Sequence, residues 1–234
     1  MVISTEDYIK LIFSEFSPEE ILIIKEFKSG HINHTFYIKT KTSEYVLQSI
    51  NATVFKNIPK IIENKIRVSK CQQKNKGEYF VLEFYQTLNG EHYIQRGKEF
   101  WCLMNFIPES VNYDIPDKHV SFEGGKILSH FLSNLLEEKI SDYHVVIPDF
   151  HSLRYRKKQY DQAFSSIDTT QIESLSEEIE FIDKHISDLF TIEDQLTSKK
   201  IPWRITHNDP KDTNVLFDDY GTALAVIDTD TVMP

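Results

Sequence analysis

The apolar residues of this chain change their spacing partway along it, and that change limits the folds open to it. Ile9, Ile12, Phe13 and Phe16 recur at helical spacing, with Ser4 or Thr5 placed to cap them. Short segments rich in β-branched and aromatic residues follow at 22–27, 36–40 and 45–50, separated by polar turns. Pro59 suits the first turn of a helix whose Ile58, Ile62 and Ile66 share a face. Strands are predicted at 79–85, 91–95 and 100–106, with Asn89-Gly90 as a hairpin turn between the first two. Beyond Pro108 the spacing is helical. Ile127, Leu128, Phe131, Leu132 and Leu135 form one stripe, and 154–166 and 172–196 give two more helical stretches. Short strands return at 204–206, 215–217 and 222–227, the last two joined by an Asp218–Gly221 turn. The reading is an α+β chain in two parts. Residues 1–107 form a β-rich part with one inserted helix, and 108–234 a mainly helical part. Ligands often bind where two such parts meet.

Composition narrows the partners. The formal net charge is −10, which repels nucleic-acid phosphate. No polybasic stretch suits an anionic membrane, and no apolar run approaches a membrane span. The two cysteines, Cys71 and Cys102, make neither a disulfide framework nor a zinc site, so a reducing, cytoplasmic location is expected.

The residues that carry chemistry lie near the end. His207-Asn208-Asp209-Pro210-Lys211-Asp212-Thr213-Asn214 sits between two strand-like segments, and a further strand ends at Ile227-Asp228-Thr229-Asp230. This is an H-x-D-x-x-x-x-N loop followed by a metal-binding aspartate. Phosphoryl transfer needs a carboxylate near the acceptor hydroxyl and oxygen ligands for Mg2+ near the phosphates. Asp209 is predicted to supply the first, and Asn214 and Asp228 the second. Lys211 is placed to reach the transferring phosphate, while His207 braces the loop. A turn-forming role for Asp and Asn is the local alternative. A polar turn at Ser29–Phe36, containing Gly30, His31 and Asn33, is able to lie over phosphates through backbone N–H groups. With its single glycine it also reads as a plain β-turn. On the third predicted strand, Val46 and Gln48 face the same way. Val46 would cover a base and Gln48 would point at phosphates, in the place where a kinase carries lysine paired to a helix glutamate. Glu63 is the candidate helix residue; an edge-strand Gln and a solvated Glu are the alternative.

Together these residues resemble the aminoglycoside phosphotransferase and choline kinase superfamily, and within it the N-acetylhexosamine 1-kinase group. The matching segments run from Gly30–Asn33 through Tyr45–Gln48, Ile50-Asn51, Val54-Phe55, Asn105–Ile107, Val111–Tyr113 and Asp149–His151 to His207–Asp218 and Ile227–Pro234. The resemblance implies a protein-kinase-like two-lobe fold, with the nucleotide between an antiparallel β lobe and a helical lobe. It implies transfer of the ATP γ-phosphate, with Mg2+, to the anomeric hydroxyl of GlcNAc or GalNAc. Asp209 matches the catalytic aspartate, and Asn214 and Asp228 the metal ligands. Gly30, His31 and Asn33 match the loop over phosphates and sugar, and Met104, Phe106 and Ile107 the hinge beside the base. His151 is a candidate sugar contact, and Asp230 matches a subgroup aspartate of structural role. The subgroup resembles Gln at position 48 too, and Lys211 is the candidate for the missing cation. Proteins of this group continue past the point matched by Pro234. The chain is therefore expected to be C-terminally truncated, to self-associate through exposed apolar surface, and to phosphorylate sugar slowly. Rival readings are a kinase for an amino alcohol or aminoglycoside, a silent nucleotide-binding scaffold, and a metal-dependent hydrolase.

Overall fold

The computed structural model describes residues 4–27 and 32–234; Gly30 and His31 lie outside them. Helix α1 (Thr5–Phe13) begins where the Ser4 side chain accepts the Asp7 N–H, as the cap signal predicts. Three antiparallel strands follow: β1 (Ile21–Glu26), β2 (His34–Thr40) and β3 (Glu44–Ile50). Helix α2 (Ile58–Lys74) starts with Pro59 in its first turn and Asn57 as cap. Its buried stripe is Ile58, Ile61, Ile62, Asn64, Lys65, Val68, Cys71 and Gln72 rather than a face through Ile66. The sheet is completed by β4 (Phe84–Tyr85), β5 (Ile94–Arg96) and β6 (Glu99–Asn105), in the order β1-β2-β3-β6-β4 with β5 also on β6.

The Asn89-Gly90 turn forms, with Gly90 at φ 86° and its N–H on the Thr87 carbonyl at 2.9 Å. It does not join a paired hairpin, however. Both β4 and β5 pair with β6, at successive stretches of that strand, Leu103-Met104 and Glu99–Trp101. The segment 79–83 likewise stays outside regular strand, apart from single links such as Phe80 N–H to the Leu224 carbonyl at 2.8 Å.

Helix α3 (Lys118–Asn134) buries Val120, Ile127 and Phe131 against β7 (Val215–Phe217) and β8 (Ala223–Val226). The β7–β8 turn needs Gly221. Its φ is +82°, and a Cβ there would meet Val120 at 3.0 Å. The predicted strand at 204–206 is not one: Thr206 only bridges to Met233.

The chain divides into two compact units. The first comprises Met1–Val146 with Ile205–Pro234, so the expected join at 107/108 falls within it. The second is Ile147–Arg204. It holds α4 (Leu153–Phe164), α5 (Thr169–Ser174), α6 (Ser176–Leu189) and α7 (Thr191–Thr197), none with a buried residue. The single helical stretch expected over 172–196 is broken twice, at Leu175 and Phe190. In the first unit, one face of the sheet packs Phe36, Ile38, Tyr45, Leu47, Trp101 and Leu103 against Ile9, Ile12, Phe13 and Phe16 of α1. A second core joins α2, α3, β7 and β8.

Candidate active site

The loop from His207 to Asn214 is held at both ends. Before it, Thr206 pairs with Met233; after it, Val215 enters β7 opposite Val226. His207 is fully buried. Its Nε2 lies 3.0 Å from the Ile227 carbonyl, and its Nδ1 accepts the Asp209 N–H at 3.3 Å. A neutral ring with the proton on Nε2 satisfies both contacts. Burial pulls its pKa down in the same sense. The bracing role read from the sequence therefore has a concrete form: one imidazole ties the loop to the end of β8.

Asp209 and Asn214 come together as the spacing predicts. Asn214 Nδ2 donates to the Asp209 carbonyl at 2.9 Å and to its Oδ2 at 3.1 Å. With the nitrogen so engaged, Oδ1 is the atom of Asn214 suited to a cation. Lys211 Nζ donates to Asp209 Oδ2 at 2.7 Å, and both side chains reach solvent. The Ile227 N–H donates to the Asn214 carbonyl at 2.9 Å, which sets Asp228 beside the loop. Asn112 Nδ2 supports the loop's exit by donating to the carbonyls of Thr213 and Val215.

Two non-glycine residues here adopt the left-handed backbone, Asn208 (φ 63°) and Asp228 (φ 56°). Asn and Asp tolerate that conformation best, and such strain gathers at functional sites. Asn208 Nδ2 donates to the carbonyls of Thr206, Thr231 and Met233. Asp228 is exposed as a residue, yet protein packed around it removes water. That desolvation, with the charge of Asp230, pushes its carboxyl up to about 6 against the pull of Lys65 and Lys211. A site that disfavours a lone negative charge is one that a cation would relieve. The donors also fit Mg2+: hard oxygen atoms from one amide and one carboxylate leave positions for phosphate and water. Among the described residues no three His, Cys, Asp or Glu side chains gather as an all-protein cage.

Val46 and Gln48 lie half-buried on the face of β3 away from α1, with Val46 opposite Met104 and Gln48 opposite Cys102. The Phe106 N–H donates to the Glu44 carbonyl at 3.3 Å, and Ile107 is buried. Asn33 turns toward Asp230 and donates to its Oδ2 at 2.7 Å. Glu63 does not face Gln48. It points outward to His144, 2.7 Å away. The α2 residue that reaches Gln48 is Lys65, whose Nζ is 3.4 Å from Gln48 Oε1 and ion-paired with Asp230. Sequence reading passed over Lys65. The signal was there: its position, three and four residues after Ile62 and Ile61, belongs to the apolar stripe. His151 belongs to the second unit and is described only there, its ring centre 4.4 Å from that of Phe150 and tilted 50° to it.

The profile of the phosphotransferase enzyme family, APH, matches residues 23–234. Several solved structures share the fold. Spectinomycin phosphotransferase APH(9)-Ia, in complex with ADP and spectinomycin, is 15% identical at a TM-score of 0.54, over 100% of this chain and 70% of that one. An aminoglycoside phosphotransferase from Alicyclobacillus acidocaldarius is 13% identical at a TM-score of 0.65, over 100% and 68%. A thermostable mutant of APH(4)-Ia, in ternary complex with ADP and hygromycin B, is 14% identical at 0.58, over 99% and 72%. At such identities the likeness is one of fold, and it is the kinase-like fold that the loop spacing implies.

Proposed function

The chain belongs to the phosphotransferase enzyme family, and on that premise we propose that it transfers the γ-phosphate of ATP to the anomeric hydroxyl of an N-acetylhexosamine. The observation that carries the reading is the convergence of Asp209, Lys211, Asn214 and Asp228, drawn together by the Asn214–Asp209 and Ile227–Asn214 hydrogen bonds. Asp209 accepts the proton of the acceptor hydroxyl as its oxygen forms a bond to phosphorus and the bond to the ADP oxygen breaks. Lys211 keeps Asp209 oriented and brings positive charge to the same opening. Asn214 Oδ1 and the Asp228 carboxylate would hold Mg2+, which when bound screens phosphate charge. Val46 meets the base, with Met104, Phe106 and Ile107 along its edge. Gly30, His31, Asn33 and Gln48 belong to the phosphate side, and His31 and His151 to the sugar.

A second acceptor class has one observation in its favour: spectinomycin and hygromycin B occupy the related structures. The acidic chain suits such cationic acceptors as well. A product-resolved assay with Mg-ATP and GlcNAc, GalNAc, choline, spectinomycin and hygromycin B separates the readings. Hexosamine 1-phosphate is the expected product. Phosphate arriving only on choline or an aminoglycoside overturns the sugar assignment and leaves the family's chemistry standing.

A further inference from the structure

The buried stripe of α2 runs through aliphatic residues and is broken by an ammonium. Lys65 is 2% exposed, and Asp230, its ion-pair partner, is 3% exposed. An unpaired charge at that depth would be strongly destabilising, so each needs the other. Both also have further partners. Lys65 Nζ reaches Gln48 Oε1 at 3.4 Å and lies 5.4 Å from the centre of the Phe84 ring. Asp230 Oδ2 accepts from Asn33 Nδ2 at 2.7 Å, and Asn33 Oδ1 accepts the Asn51 N–H at 3.0 Å.

Asp230 stands two residues beyond Asp228, inside the short 3-10 turn Thr229–Thr231 that Asp228 immediately precedes. The neighbour of Lys65 on α2 grips the same turn from its other end. Asn64 Nδ2 donates to the Val232 carbonyl at 2.9 Å and to the His144 carbonyl at 2.8 Å. Consecutive residues of one helix thus hold the middle of the turn that follows Asp228 and the residue just beyond it. Protein kinases place the cation on the strand and the carboxylate on the helix. Here the strand carries neutral Gln48, the helix carries the cation, and the carboxylate has moved to the metal-binding turn.

We propose that Lys65 is a positioning residue for the metal site: through Asp230 it holds Asp228 in its left-handed backbone and couples the seat of α2 to cation binding. Desolvation, the largest single influence, pulls the Lys65 pKa down, but the charge and hydrogen bond of Asp230 together with Cys102 and Asp228 outweigh it and leave the value raised, so the ammonium persists. The inference rests on the phosphotransfer reading, since it takes Asp228 as a ligand.

The test uses Mn2+ as probe, followed by water-proton relaxation in the presence of ADP. In Lys65→Met, Mn2+ affinity is expected to fall by about 10- to 100-fold, the range typical of lost outer partners of a ligand. Metal-free ADP affinity is expected to stay within about twofold, since no ligand contact is removed. Lys65→Arg, which keeps the charge, is expected to recover part of the loss. If Lys65→Met does not fold, Asp230→Asn keeps the shape and removes the charge, with the same loss expected. Folded Lys65→Met or Asp230→Asn protein that binds Mn2+ as the parent does overturns the proposal. Failure of the parent itself to bind Mn2+ with ADP overturns the phosphotransfer reading and this inference with it.

Discussion

On one face of β3, Tyr45 and Leu47 are sealed against α1 among aliphatic and aromatic side chains. On the other, Val46 and Gln48 stay half-buried, and Gln48 joins a polar network of Thr35, Lys65 and Asp230. The first face contributes stability through area removed from water. The second is assembled from groups that are costly to bury and gain their value from one another. The contrast teaches that a single strand can divide the two tasks by its period of two, and that damage on each face should differ in kind as well as in size.

The largest effect is expected on the polar side. Asp209→Asn should lower turnover by about 10³- to 10⁴-fold, near the upper range for a lost proton acceptor. Asn214 and Lys211 still find an amide oxygen there, so metal-free ADP affinity and melting temperature should hardly change. Steady-state kinetics beside calorimetry checks this, and equal losses in both would break the division of roles.

Next comes the sealed face. Leu47 is fully buried, and Leu47→Ala is expected to cost about 2–5 kcal/mol of stability, the range for truncating a packed leucine. Denaturant unfolding measures it. ADP affinity of the folded variant should match the parent, and a large affinity loss would mean that the two faces are not separable.

A smaller effect sharpens the contrast by its sign. The Asp228 carboxyl is raised in the fold from 3.8 to about 6. An acid with a raised folded pKa lends stability below its unfolded value and loses it as pH rises through the folded one. Metal-free Asp228→Asn should therefore melt above the parent at pH 7–8, by roughly 2–4 °C if about 1 kcal/mol survives solvent screening. The gain should vanish near pH 4. His207 acts oppositely. Its lowered pKa gives stability that is complete above about pH 6.5 and lost as pH falls through the folded value. Melting curves across pH 4–8 separate the two, and a variant less stable than the parent at pH 8 would refute the cost assigned to Asp228.

The smallest expected effect lies at the edge of the sealed face. Ser4→Ala removes the α1 cap and should cost about 1 kcal/mol, with catalysis untouched. Thermal unfolding beside the kinetic assay tests it; a fall in turnover would connect α1 to the site.

What could be read from the sequence follows from how local each cause is. The cap at Ser4, the start of α2 at Pro59 and the Gly221 turn depend on a few neighbours and were legible. So was the loop His207–Asn214, because one residue's reach forces Asp209 and Asn214 together. The pairing of β4 and β5 was not legible, since it depends on which strand lies alongside rather than on the Asn89-Gly90 turn. The outward turn of Glu63 and the inward turn of Lys65 were missed for a related reason. Periodicity assigns apolar residues to the core by type, and a lysine is assigned to water. Only the arrival of Asp230, far away in sequence, makes the buried ammonium affordable.

That distance has a consequence for how the protein matures. Asn33 and Asp230 are separated by 197 positions, and Lys65 and Asp230 by 165. Loop closure over such spans is slow, and it gains nothing until the partner exists. A nascent chain that has left the ribosome as far as β6 already holds every strand of the large sheet. It also carries a solitary Lys65 without its counter-charge. The helix bearing that lysine is left unsettled until the turn that carries Asp230 has been synthesised. On the proposed function, cation-dependent nucleotide binding would therefore appear only after Asp230 has joined Lys65 and Asn33, and a chain stalled before that residue would lack it.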